Sequence, residues 1–173
     1  IKNLSKSASI FSYKKLDFFN NYFLRIETNT KLFEEYCKSN IKLTEYLKLD
    51  KEKLFRVFDV YKKDISKYIE IVDISKIYFS NDFSKNHDEK FHDDFNYIFS
   101  EFLELIININ NWEYDIISLE IKEFIKKNNI KFPVLGKPIR HLLTNNYNGP
   151  SITDIFMILG KKESIERLKR YKI

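Results

Sequence analysis

One cysteine, three histidines and twenty-five acidic residues are the raw material for catalysis in this 173-residue chain, and their spacing supports none. Cys37 has no histidine or acid at a spacing that would make it a nucleophile. A single cysteine can form no internal disulfide, so Cys37 reads as a helix residue in a reducing compartment. His87 and His92 are five apart and do not share a helix face as a metal pair would. Asp93 and Asp94 beside them read as the acidic start of a helix rather than as a metal site. The three glycines, Gly136, Gly149 and Gly160, form no phosphate-cradling loop. No catalytic residue, metal or cofactor is expected in this chain. The groups that do stand out are Arg140 and Thr144, four apart and on one face if the segment is helical. A guanidinium is a planar fork of donors, and a hydroxyl both donates and accepts. Lys131, Lys137, Lys161 and Lys162 lie nearby on looser stems. His141 is expected to pack or to meet a phosphate rather than act as a base.

These residues sit in the least generic part of the sequence. All prolines and glycines fall between 133 and 160; elsewhere the chain consists of helix formers and aromatics. Pro138 is expected to open a helix over 139–144, since its missing N–H is not needed in a first turn. The run from Asn145 to Pro150 is a turn cluster. Ser151 then offers a hydroxyl N-cap and Asp154 a carboxylate in the first turn of the next helix. Gly160 ends that helix and Lys161 begins another.

The rest of the chain is read as helical throughout. Leu16, Phe19, Phe23 and Ile26 recur at helical spacing and predict an inward apolar face. Thr30 caps a helix over 31–39, and 43–47 makes another turn or two. Asp50 starts a helix with Leu54, Val57, Phe58 and Tyr61 inward. Asp64 starts the next, with Ile65, Tyr68, Ile69, Val72 and Ile77 or Tyr78 inward. The polar run over 80–90 is the linker candidate. A long helix over 88–107 carries a stripe of Phe91, Phe95, Ile98, Phe99, Phe102 and Leu105 or Ile106. Another runs over 112–127 until Asn128 and Asn129 stop it. Aromatics at helical spacing are core residues as a rule. Tyr61, before Lys62 and Lys63 at a helix end, and Tyr147, in the Asn-rich turn, are the candidates for exposed rings on which unpaired bases stack.

Bulk properties agree with a soluble all-α protein. The apolar fraction is 43%, enough for a core, and no apolar run approaches the roughly 18 residues of a membrane span. Net charge is +5, unevenly spread. Residues 131–173 hold nine Lys/Arg against three Asp/Glu, whereas 81–130 hold five against eleven. A basic end after an acidic middle fits either an unevenly charged solvated helical surface or a polyanionic partner.

The segments Pro138-Ile-Arg140-His-Leu-Leu143-Thr144-Asn145 and Pro150-Ser151 with Leu159-Gly160-Lys161-Lys162-Glu163 resemble the C-terminal end of bacterial-type glutamyl-tRNA synthetase, and the spacing between the two agrees without a gap. In that family Pro-Leu-Arg-x-x-Leu-Thr-Gly precedes Pro-Ser-x-x-(Asp/Glu)-x-x-x-x-Leu-Gly-Lys-Glu. Lys6, Ser7, Phe11, Lys15, Leu16, Asn20, Phe23, Leu24 and Arg25 resemble the segment joining the family's catalytic half to its tRNA-binding half. Asn21 stands there in place of Gly, a change that leaves a left-handed bend possible. The resemblance implies a fragment that starts in mid-protein: a linker segment over 1–27, a first helical lobe over 28–80 and a second over 81–173. Together the lobes form a two-lobed, all-helical cage with no catalytic α/β domain.

The implied function is recognition of the tRNA-Glu anticodon by a cytoplasmic, monomeric enzyme that attaches glutamate using ATP and Mg²⁺. The fragment alone would be inactive and would contact no membrane. By position, Arg140 and Thr144 fall where the family contacts the anticodon, with Lys137 in place of the usual Gln and Asn145 in place of Gly. Tyr61 falls where many members carry an Arg that helps read the last anticodon base. Either Lys62 or Lys63 substitutes for it, or the enzyme is relaxed toward tRNA-Gln. The rival readings are a detached helical RNA-binding module and a protein-interaction domain.

Overall fold

A computed structural model describes residues 12–26, 30–80 and 91–171. Among them are nine α-helices and no strand: α1 (Tyr13–Ile26), α2 (Thr30–Ser39), α3 (Ile41–Leu49), α4 (Lys51–Tyr61), α5 (Glu70–Phe79), α6 (Asp93–Asn108), α7 (Tyr114–Lys127), α8 (Phe132–Thr144) and α9 (Ile152–Leu168). The all-α expectation holds. All of the linker candidate over 80–90 except Ser80, His87 included, and the polar lead over 1–11 lie outside the described residues.

Short polar side chains set many of the helix starts. The Asn40 carboxamide oxygen accepts from the Leu43 N–H at 3.1 Å, and the Asp50 carboxylate accepts from the Lys53 N–H at 2.9 Å. Asn129 takes a positive φ of 50° just past α7, which halts that helix where the Asn pair predicts.

Two starts differ from expectation. No helix begins at Asp64; α5 begins at Glu70. The carbonyls that a helix from 64 would use are already taken. The Asn21 amide donates to the Lys63 and Ile65 carbonyls at 3.0 and 2.6 Å, and Arg25 Nε donates to the Lys63 carbonyl at 3.1 Å. The Glu70 carboxylate accepts from the Ser66 and Lys67 N–H groups at 3.0 and 2.7 Å, which ties the segment into turns. Ile69 is therefore exposed and Ile71 takes the core position instead. Similarly, α6 starts at Asp93, with His92 as its cap, rather than at 88.

The buried apolar residues form two clusters. The first joins Leu24, Phe33, Cys37, Leu43, Leu54, Phe58, Ile65, Ile71 and Val72 from α1 to α5. The second is larger, is built on α6 to α9, and takes in Val57 of α4 and Tyr78 of α5. The clusters meet along α4 and α5, where Tyr61, Ile74 and Phe79 touch both. The predicted inward stripe of α1 is not inward. Leu16, Phe19, Phe23 and Ile26 are exposed, and only Leu24 is buried. Polar bonds from Asn21 and Arg25, with an Asp17–Lys67 ion pair at 3.3 Å, hold this helix instead. Asn21 lies inside α1, so no left-handed bend occurs there.

Candidate nucleic-acid interface

The sharpest local geometry lies where α8 turns into α9. Helix α8 starts earlier than the position of Pro138 predicts. It opens at Phe132, and Pro133 occupies the first turn where an N–H is dispensable. Pro138 lies inside the helix and buried, so α8 lacks one bond of its ladder there. The helix ends at Asn145, which adopts the left-handed conformation (φ 54°, ψ 26°) and donates its N–H to the His141 carbonyl at 2.7 Å. Asparagine is the side chain that tolerates this conformation best after glycine.

The turn from Asn145 to Pro150 is pinned by the residues that the spacing singles out. Arg140 Nε donates to the Pro150 carbonyl at 3.0 Å and Nη1 to the Tyr147 carbonyl at 2.9 Å. Its Nη2 makes no hydrogen bond among the described residues. Neither Asp154 nor Glu163 pairs with Arg140. Asp154 accepts from the Ser151 hydroxyl at 2.6 Å, and its own N–H donates to that hydroxyl oxygen at 3.0 Å, closing the predicted cap of α9. Thr144 is buried; its hydroxyl donates to the Arg140 carbonyl at 2.8 Å and lies 3.3 Å from the Asn146 carbonyl. Gly149 has φ 139°, outside the reach of ordinary side chains, and a Cβ there would lie 3.8 Å from both Arg140 Cδ and the Tyr61 hydroxyl. Tyr61, Arg140, Thr144 and the turn thus come together although Tyr61 is distant from the others in sequence.

Tyr61 is half-buried, with its hydroxyl 2.8 Å from that of Tyr78. Burial raises the Tyr61 pKa, against the opposing pull of the Tyr78 hydrogen bond and the Arg140 charge. Lys62 pairs with Asp59 at 2.6 Å and lines a cleft of about 620 Å³ between α4 and α9, with Arg56, Asp154 and Met157. Lys63 and Lys137 are exposed, and no hydrogen bond or ion pair ties their side chains to the turn among the described residues. His141 is buried and stacks under Tyr147, with ring centroids 4.4 Å apart. Of the neighbouring lysines, Lys161 donates to the Ile109 carbonyl at 2.6 Å, while Lys131 and Lys162 are exposed.

One buried cation escapes sequence reasoning. Arg167 is 2% exposed. Its Nη1 donates to the Leu143 carbonyl at 2.6 Å, and its Nη2 to the Ile77 carbonyl at 3.0 Å and to Glu163 at 2.5 Å. Glu163 also meets Lys53 of α4 at 2.6 Å. Burial lowers the Arg167 pKa, and the Glu163 carboxylate opposes that shift. Nothing in the periodicity marks Arg167 off from its exposed neighbours Lys169 and Arg170. Cys37 is wholly buried, and its thiol pKa is pushed up to about 12 by burial and by the nearby Glu34 carboxylate. Among the described residues, no three His, Cys, Asp or Glu side chains are grouped so as to hold a metal ion. No described helix is long and apolar enough to cross a membrane.

Comparison with known proteins places this geometry. Residues 29–172 match the family model described as the anticodon binding domain. Over 98% of its length the chain is 28% identical to glutamate–tRNA ligase 2 of Wolbachia pipientis from Culex pipiens, covering 37% of that protein. It is 30% identical to glutamate–tRNA ligase 1 of Aliarcobacter butzleri, over 96% of this chain and 35% of the relative. The chain thus spans a little over a third of these relatives. A glutamate tRNA ligase of Elizabethkingia meningosepticum, solved in complex with its amino acid, shares the fold with a TM-score of 0.75 at 20% identity, over 96% of this chain and 33% of that one. The glutamate-tRNA synthetase of Elizabethkingia anophelis gives a TM-score of 0.74, also at 20% identity, over 96% and 32% of the two chains. The family match over residues 29–172, on a fold that is helical without strands among the described residues, makes this chain a member of the anticodon binding domain family.

Proposed function

We propose that this chain is the anticodon-recognising part of a cytoplasmic, monomeric glutamate–tRNA ligase. It holds tRNA-Glu by its anticodon loop while a catalytic part outside the chain activates glutamate with ATP and Mg²⁺ and transfers it to the tRNA. The match to the anticodon binding domain over residues 29–172 carries this reading. The lobes are 28–80 and 81–173, following a linker segment over 1–27. Arg140, Thr144, Lys137, Asn145, Tyr61, Lys62 and Lys63 make up the tRNA-facing set, in two kinds of role. Exposed Lys63 and Lys137, with half-buried Lys62, attract phosphates. Arg140, Thr144, Asn145 and Tyr61 shape the turn that meets the loop, and Arg140 Nη2 remains to bond a base or phosphate. With tyrosine at position 61, either Lys62 or Lys63 takes part in reading the last anticodon base, or discrimination there is relaxed toward tRNA-Gln.

Binding of tRNA transcripts that differ only in the anticodon tests the reading, followed by fluorescence anisotropy at several salt concentrations. Preference for glutamate anticodons over unrelated ones, with affinity falling as salt rises, is the expected result. Equal binding to every anticodon would leave a general RNA-binding module, and no binding would leave a protein-interaction domain. Either outcome overturns the proposal.

A further inference from the structure

Three asparagines, a glycine and one aromatic ring make up the exposed part of the turn between α8 and α9: Asn145, Asn146, Tyr147, Asn148 and Gly149. Tyr147 keeps 37% of its surface exposed, yet the ring is well seated. It lies on His141 with centroids 4.4 Å apart and planes within 18°. His141 is buried and meets Phe91 edge-on at 5.9 Å, and Phe91 packs edge-on against the core residue Phe95 at 5.1 Å. A column of rings thus rises from the larger core to the surface, and Tyr147 is its outermost member. The backbone beneath it is held as firmly. Arg140 Nη1 donates to the Tyr147 carbonyl at 2.9 Å, and the Asn148 N–H donates to the Asn146 side chain at 3.0 Å.

A flat ring held at fixed height and tilt, amid amide side chains, matches the needs of an unpaired nucleobase. Stacking requires a presented π-face, and its benefit shrinks when the ring must first be ordered. Tyrosine has few rotamers to lose, and its packing on His141 has already selected one. Several other exposed aromatics are held differently. Among the described residues, Phe18 meets Phe19 and Tyr22 meets Phe23 edge-on within α1. Tyr61 is half-buried against Tyr78.

We propose that Tyr147 is a stacking platform for one unpaired base of the bound RNA, with Arg140 as the clamp that sets its backbone and His141 as the ring beneath it. The exposed Asn145 and Asn148 amides beside it supply donors and acceptors for that base's edge. This rests on the tRNA-binding reading and locates within it the group that meets a base face.

The probe is an RNA hairpin of anticodon-arm form carrying 2-aminopurine at single loop positions, whose fluorescence falls on stacking. Bound to the unaltered chain, one loop position should be quenched. Tyr147→Phe should keep both quenching and affinity. Tyr147→Leu keeps the bulk and removes the ring; it should restore the fluorescence and weaken binding about tenfold or more. The dependence on salt should not change with it. Lys137→Ala should do the reverse, flattening the salt dependence and leaving the quenching. Full binding and quenching by Tyr147→Leu overturns the platform and leaves the tRNA-binding reading standing. Failure of the unaltered chain to bind the hairpin overturns both. Should melting curves show Tyr147→Leu unfolded, the saturated unaltered chain decides: no quenching at any loop position overturns the platform.

Discussion

Arg140 directs two of its nitrogens at its own chain, and this changes what its loss should do. Removing the guanidinium frees the Tyr147 and Pro150 carbonyls together, so the effect should spread through the turn. Arg140→Ala is expected to cost about 1–3 kcal/mol of tRNA affinity and to raise amide hydrogen exchange at Asn146 and Asn148. Unchanged exchange there would sink the clamp. At the same scale, the acidic protons of Cys37, Tyr46, Tyr61 and Tyr78 are held more tightly in the fold than in the unfolded chain. Burial pushes Cys37 up to about 12 from an ordinary 9.0 and raises Tyr61 and Tyr78 as well. A raised acid pKa means that the unfolded chain gives up its proton first. The stabilisation is therefore present below about pH 9 and is lost as pH climbs toward 12. Urea midpoints should fall steeply over that alkaline range, and Cys37→Ala should make the fall shallower. A thiol reagent at neutral pH should label Cys37 no faster than the chain unfolds.

At the scale of elements, the joints between helices hold the information. Glycine 160 breaks α9 at φ 74° and ψ 168°, a region open to glycine alone. A Cβ there would meet nothing within 4 Å, so Gly160→Ala tests backbone strain without a clash. It should cost about 1–3 kcal/mol of stability in urea unfolding. Asn145→Gly, at a left-handed position that glycine also accepts, should change stability by only a few tenths of a kcal/mol. Arg167 joins three elements: the end of α8 through Leu143, α5 through Ile77, and α4 through Glu163 and Lys53. Arg167→Met leaves two carbonyls and a carboxylate short of a donor and is expected to cost about 3 kcal/mol or more. The double substitution with Glu163→Gln should cost less than the sum of the two. Additive costs would mean that the pair does not act as a unit.

At the scale of the whole molecule, two apolar cores share α4 and α5, and the turn between α8 and α9 reaches Tyr61 beside that seam. Arg167 bridges the same seam, so loosening it should disturb the turn as well as the fold. The chain spans little over a third of the ligases it resembles, in the part that matches the anticodon binding domain. On its own it is expected to show no glutamate-dependent exchange of pyrophosphate into ATP. Exchange above background, measured with purified chain, would place catalytic groups where none has been identified.

Local chemistry determined much of this protein from sequence alone. Period and capping placed α4, α7 and the stripes of α6, because a buried helix face and a carboxylate cap depend on neighbours in sequence. Clustered Pro, Gly and Asn marked the turn at 145–150 and the break at Gly160 for the same reason. Arg140 and Thr144 were legible as a pair, since residues four apart share a face. What the pair holds was not, because the carbonyls of Tyr147 and Pro150 reach Arg140 only once the turn has closed. Tertiary structure alone decided that the apolar stripe of α1 faces outward, held by Asn21 and Arg25 on the 63–65 carbonyls. It also decided that α5 waits until Glu70 and that Pro133, not Pro138, opens α8. Arg167 shows the limit most clearly. Its sequence neighbours Lys169 and Arg170 carry the same charge and stay in water. Only the meeting of α5, α8 and α9 supplies the carbonyls and carboxylate that let one of the three be buried.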